Sequence, residues 1–107
     1  MMKLIFTLIV TFFSCHLWAM DLSSQRQTEL LNLLTQDCGS CHGMTLKGGL
    51  GPPLLPTNLA GKPKEFIILT ILKGRPKTPM PPWQGLLTEL EISWLVNKLY
   101  EGIDHAP

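Results

Sequence analysis

The chain has 107 residues, of which 45% are hydrophobic, and a formal net charge of +1 at pH 7. This length holds one small domain rather than several. The nearly balanced charge argues against nucleic-acid binding, because proteins that bind nucleic acids concentrate positive charge on one face.

The chain opens with the pattern of an export signal. Lys3 supplies a positive charge, residues 4–13 are predominantly apolar, and the small residue Ala19 ends the segment. We therefore predict a signal peptide over residues 1–19, a single domain over residues 20–107, and a periplasmic location.

Two other interpretations of this leader stay open. Residues 4–20 are close to the shortest apolar length that spans a bilayer, and on that interpretation they form a retained membrane anchor. Cys15 ends a weak lipoprotein cleavage box, and on that interpretation it carries a lipid.

The first predicted helix covers residues 24–36. Ser23 or Ser24 suits the N-cap position, because a short hydroxyl side chain accepts a hydrogen bond from the first helical turn. The helix leads directly to Cys38. Its apolar side consists of four leucines, Leu30, Leu31, Leu33 and Leu34.

Cys38, Cys41 and His42 form a Cys-x-x-Cys-His run, which is the attachment pattern of a c-type haem. Two thiols at this spacing add to the two vinyl groups of one porphyrin, and the adjacent imidazole is the proximal ligand of the iron. We predict one haem c, bound covalently through both cysteines. A redox dithiol or half of a zinc site uses the same Cys spacing. Beyond the leader, however, the chain shows neither a βαβ pattern nor a second pair of ligands.

The second predicted helix covers residues 64–73. Pro63 and Gly74 bracket it, in agreement with the preference of Pro for helix starts and of Gly for helix ends. On either side of this helix, residues 48–56 and 74–85 are rich in Gly and Pro. We predict stiff loops there, because each proline fixes one backbone angle.

The third predicted helix covers residues 89–100. Thr88 and Glu91 have the spacing of a capping box, in which each side chain bonds the backbone N–H of the other residue. Apolar residues then recur at the helical period and define one buried face. They are Ile92, Leu95, Val96 and Leu99.

Met80 is the predicted second axial ligand. It follows His42 by a loop and a helix, which is enough chain to wrap a porphyrin, and three flanking prolines restrict its backbone. A thioether ligand stabilises ferrous iron, whereas a Met with no such role fills a gap in the core. Met44 is too close to His42 to reach the opposite face of the porphyrin. His105 stands among the last residues, which are usually loose.

Three further residues are predicted to support the haem. Pro52 follows the attachment motif, and its carbonyl is the candidate acceptor for the second N–H of His42. Arg75 and Trp83 flank the Met80 loop, where they are candidates to hydrogen-bond a haem propionate. Solvation and packing are the alternative roles of these two side chains.

Basic side chains are concentrated in the middle of the chain. Such an asymmetry favours a basic face that attracts an acidic partner, although an ordinary solvated surface is the alternative. Only Glu65 opposes the charge of this stretch. The basic residues are Lys47, Lys62, Lys64, Lys73, Arg75 and Lys77.

Over residues 24–102 the pattern resembles a small monohaem class I cytochrome c. The resemblance implies an all-α cytochrome c fold of three to four helices wrapped around one haem, with the first and last helices packed together. It also implies outer-sphere electron transfer at the haem edge. It rests on four segments: Cys38-x-x-Cys41-His42, Gly51-Pro52-x-Leu54, Met80-Pro81-Pro82-Trp83 and Thr88-x-x-Glu91.

Residues 61–83 are similar to the short periplasmic cytochromes encoded with cytochrome cd1 nitrite reductase in denitrifying bacteria. This likeness implies an electron carrier rather than an enzyme, with that reductase as redox partner and the cytochrome c maturation machinery attaching the haem. An accessory role in haem d1 biosynthesis or reductase maturation stays open. A weak peroxidase or nitric-oxide binder is a further alternative, for which the sequence supplies no distal His beside Met80.

Overall fold

The computed structural model describes residues 21–104. These residues form four continuous helical stretches and no strand, which confirms the all-α prediction. The predictions for residues 1–19, for the anchor at residues 4–20, for Cys15 and for His105 lie outside the described residues. Within residues 21–104, no helix is both long and apolar enough to span a bilayer.

The first helical stretch is longer than the sequence predicts. Helix α1 (Ser24–Leu33) begins where the Ser23 hydroxyl accepts a hydrogen bond from the Arg26 backbone N–H, at 3.1 Å. The chain then continues as a π-helix (Leu34–Cys38) and as helix α2 (Gly39–His42). The predicted end at residue 36 is therefore wrong, because the wider π turn carries the helix through the attachment motif.

Two helices lie in the middle of the chain. Helix α3 (Pro56–Leu59) begins inside a predicted loop, and Pro56 occupies its first turn, where the missing N–H costs nothing. Helix α4 (Lys64–Lys73) has the predicted bounds. Gly74 follows it with a φ of 67°, a left-handed conformation that suits glycine.

Helix α5 (Glu89–Glu101) closes the fold. The predicted capping box is confirmed, since Glu91 N donates to Thr88 Oγ1 at 3.2 Å and Thr88 N donates to Glu91 Oε2 at 3.0 Å. One face of α5 packs against α1 and α4. The buried core consists of Leu30, Leu34, Leu46, Leu59, Leu87, Ile92, Leu95, Val96 and Leu99.

Candidate haem site

His42 is buried at the end of α2, and its Nδ1 lies 2.7 Å from the carbonyl oxygen of Pro52. Because a carbonyl oxygen only accepts hydrogen bonds, this contact requires the proton on Nδ1. The lone pair on Nε2 is then available for a metal. The structure thus confirms the predicted contact between His42 and Pro52. The imidazole of His42 is in the tautomer that a metal ligand needs.

The loop after α2 holds this imidazole from one side. Gly51 N donates to the Cys41 carbonyl and Gly48 N donates to the His42 carbonyl, both at 2.8 Å. A Cβ atom on Gly51 would lie 2.7 Å from both Nδ1 and Cε1 of His42, so no other residue fits without a shift. Sequence analysis identified the Gly-Pro pair but not this close approach to the imidazole.

Cys38 and Cys41 are free and partly buried, one helical turn apart. Burial, together with the neighbouring charge of Asp37, raises the pKa of the Cys38 thiol to about 11. A redox dithiol needs the opposite shift, because the thiolate is the reactive form. The environment of Cys38 therefore does not favour a redox dithiol.

Met80 lies at the end of a closed loop that returns to α4. The loop is closed by the Arg75 N–H, which donates to the Met80 carbonyl at 3.2 Å, and the Thr78 hydroxyl donates to the Arg75 carbonyl at 2.6 Å. A Cβ atom on Gly74 would lie 2.7 Å from the Met80 carbonyl oxygen. The position of Met80 is thus fixed by backbone contacts with the end of α4, as well as by the flanking prolines.

Trp83 and Arg75 occupy different environments. Trp83 is partly buried against the core, and its backbone N–H donates to the Ile71 carbonyl at 3.0 Å. Arg75 is exposed. Trp83 therefore packs against the core, which is one of its two predicted roles. A contact of Arg75 or Trp83 with a haem propionate stays a prediction.

The loops that carry Pro52 and Met80 form separate hydrogen-bond systems. The first is bonded to the attachment motif and the second to the end of α4, and no hydrogen bond within residues 21–104 joins the two loops. Met44 lies elsewhere, half exposed, in a groove of about 300 Å³ beside α1. That groove contains none of the residues predicted to bind haem.

These residues fit a covalently bound haem. Two free thiols stand one turn apart, an imidazole presents an available Nε2, and the backbone of Met80 is held on a separate loop. Among residues 21–104 the side chains of His, Cys, Asp and Glu form no group of three that would hold a metal ion directly. The zinc alternative thus finds no second pair of ligands in this part of the chain.

Known proteins are similar to this chain in both sequence and fold. Residues 25–97 match the family described as "Cytochrome C oxidase, cbb3-type, subunit III". The chain is 60% identical to cytochrome c55X of Pseudomonas aeruginosa over 79 residues, which are 74% of this chain and 66% of the relative. It superposes on the solved structure of the c-type cytochrome NirC with a TM-score of 0.74 and 57% identity, covering 76% of this chain and 95% of that one.

A part of a larger protein is also similar. The solved structure of dihydro-heme d1 dehydrogenase NirN in complex with DHE gives a TM-score of 0.63 and 36% identity. The match covers 72% of this chain but only 17% of that chain. A region similar to this chain therefore forms a small part of that larger protein.

Proposed function

Since this chain belongs to the cytochrome c family, we propose that it is a periplasmic one-electron carrier of the nitrite reductase system. The proposal includes a signal peptide over residues 1–19 and a cytochrome domain over residues 20–107. Cys38 and Cys41 would attach one haem c, and His42 and Met80 would ligate its iron.

A single observation carries the assignment of His42 as a ligand. The bond of 2.7 Å between His42 Nδ1 and the Pro52 carbonyl leaves only Nε2 for a metal, on the residue that directly follows Cys41. A hydrogen bond to the other ring nitrogen orients a ligating imidazole and raises its basicity.

Haem supplies one-electron chemistry when it is bound. The residues of this chain hold the two ligands in place. Pro52 and Gly51 restrain the ring of His42, and the bond between Arg75 N and the Met80 carbonyl restrains the thioether loop. Because hydrogen bonds restrain the His42 ring and the backbone of Met80, we expect the transfer of an electron to require little rearrangement of the protein.

The first candidate partner is cytochrome cd1 nitrite reductase, reached through the basic stretch at residues 47–77. Opposite charges speed the encounter of two proteins, and salt weakens that effect. This role uses the chain as a carrier and assigns no catalytic residue to it.

A second role is favoured by the likeness to dihydro-heme d1 dehydrogenase. A dehydrogenase removes electrons from its substrate, and these electrons need an acceptor. A one-electron carrier of this kind fits that need, which would make the chain an accessory cytochrome of haem d1 biosynthesis.

Stopped-flow mixing separates the two roles. The reduced holoprotein is mixed with oxidised cytochrome cd1 nitrite reductase, and the oxidised holoprotein is mixed with dihydro-haem d1 dehydrogenase and its substrate. We expect the reductase to oxidise the haem of this chain rapidly at low salt. Electron transfer with the dehydrogenase alone would establish the second role, and transfer with neither protein would contradict both.

A further inference from the structure

Helix α4 exposes apolar side chains on the face turned away from the core. Phe66 and Leu69 are 59% and 55% exposed. They are three residues apart and therefore neighbours on the helix surface. The opposite face packs against the core through Ile67, Ile68, Ile71 and Leu72. Phe66 and Leu69 thus belong neither to the buried core nor to the side chains packed against it.

The basic side chains around this apolar pair are not neutralised by carboxylates. All three ion pairs found among residues 21–104 involve side chains of α1 and α5 only. Lys64 Nζ donates to Asn97 Oδ1 at 2.8 Å and Lys73 Nζ donates to Gln84 Oε1 at 3.1 Å, so both cations have uncharged partners. Lys73 lies four residues after Leu69 and therefore on the same side of α4, whereas the Lys64 side chain turns to Asn97 of α5. Lys62 precedes the helix, and Arg75 and Lys77 follow it in an exposed loop.

We propose that Phe66 and Leu69, flanked by Lys62 and Lys73, form the α4 face, a docking site for a redox protein that presents carboxylates around an apolar patch. The proposal rests on the proposed carrier function and assigns a surface to it. The bond between Lys73 and Gln84 connects the α4 face to the turn that follows Met80. A partner seated on this face is then next to the loop that holds the proposed ligand.

The size of the apolar centre favours a protein over a membrane. Protein interfaces concentrate their binding energy in a few apolar side chains, often aromatic, within a polar rim. The binding of a helix to a bilayer scales with the apolar area that it buries. On α4 that area is limited to Phe66 and Leu69, because the wider apolar side is already packed on the core.

The two kinds of side chain have separable effects on binding. Exposed charges mainly set the association rate and its dependence on salt. Buried apolar contacts mainly set the dissociation rate. If the α4 face is the docking site, its cations and its apolar pair will therefore alter different rate constants when they are substituted.

Surface plasmon resonance with immobilised cytochrome cd1 nitrite reductase tests this division on the holoprotein. We expect the double variant Phe66→Gln/Leu69→Gln to dissociate about tenfold faster, with an association rate within about twofold of wild type. Lys62→Gln/Lys73→Gln should associate more slowly and show a weaker salt dependence. The control is Leu50→Gln, whose side chain is 92% exposed in another loop. We expect it to match wild type.

A Phe66/Leu69 double variant that dissociates as slowly as wild type, with an unchanged visible spectrum, overturns the α4 face as the docking site. The carrier function is then left intact. The single variants replace the double variant if it unfolds. A wild-type protein that binds neither the reductase nor immobilised dihydro-haem d1 dehydrogenase overturns the carrier function and this face together. Wild-type binding to phosphatidylserine vesicles that is lost in the double variant, while reductase binding stays unchanged, assigns the face to a membrane and overturns the protein partner.

Discussion

Arg26 Nε lies 2.6 Å from Glu91 Oε1, which joins the first turn of α1 to the first turn of α5. The other carboxylate oxygen of Glu91 accepts the Thr88 N–H and so completes the capping box. One buried side chain therefore serves both as a helix cap and as a connection between helices that are far apart in sequence.

Replacement of Glu91 by Ala should destabilise the holoprotein by about 1–3 kcal/mol, because it removes a cap and a charged hydrogen bond. Urea unfolding monitored by far-ultraviolet circular dichroism measures the loss. Glu89→Ala is the matched control, since Glu89 is exposed in the same first turn. An equal effect of the two substitutions would show that the bond to Arg26 is unimportant.

The contribution of Glu91 to stability should depend on pH. The hydrogen bond from Arg26, and then that from the Thr88 backbone, hold the pKa of Glu91 below its ordinary value of 4.5. A lowered pKa in the folded state means that the contribution is complete above the ordinary pKa and is lost as the pH falls through the folded one. The difference in unfolding free energy between wild type and Glu91→Gln should therefore be largest near neutral pH and shrink in acid. A difference that is constant with pH would contradict this.

Gly51→Ala should weaken the support of His42. The new methyl group would lie 2.7 Å from the imidazole, so either the ring or the loop has to move. We expect a loss of about 1–3 kcal/mol, which is typical of overpacking. Thermal unfolding followed at the haem absorption band measures it. Gly85→Ala has open space around its Cβ and serves as control; an equally mild effect of both would refute the close approach.

Gly74→Ala should disturb Met80 rather than His42. The substitution places a Cβ 2.7 Å from the Met80 carbonyl and also strains a residue with a φ of 67°. Gly61→Ala controls for the strain, because Gly61 has a φ of 82° but nothing near its Cβ. We expect the near-infrared sulfur-to-iron band of the ferric protein to weaken only in Gly74→Ala. An unchanged band there would show that the loop tolerates the shift.

Local signals predicted most of the helices. Pro63 and Gly74 define α4, and the Thr88–Glu91 pair defines the start of α5, because caps depend on residues adjacent in sequence. The π-helix that ends at Cys38 has no comparable signal in composition or periodicity. Helix α3 was missed because Pro56 suits both a loop and a helix start.

Contacts within the site were harder to predict than the residues that form it. Pro52 is predictable as the partner of His42, since a ligating His needs a nearby acceptor and the Gly51-Pro52 pair follows the attachment motif. Sequence analysis did not predict that Gly51 packs on the ring or that Gly74 packs on the Met80 backbone, because these approaches depend on how the loops fold. It also assigned Glu91 to a capping box alone, because Arg26 lies 65 residues away in the chain.

The account depends most directly on the two axial ligands. The decisive measurement is the visible and near-infrared absorption spectrum of the ferric and ferrous holoprotein in wild type, Met80→Ala and Met44→Ala. We predict that Met80→Ala abolishes the sulfur-to-iron band and shifts the visible spectrum, whereas Met44→Ala, at a half-exposed position outside the site, leaves both unchanged. A colourless wild-type protein, or a Met80→Ala spectrum identical to that of wild type, would contradict the account.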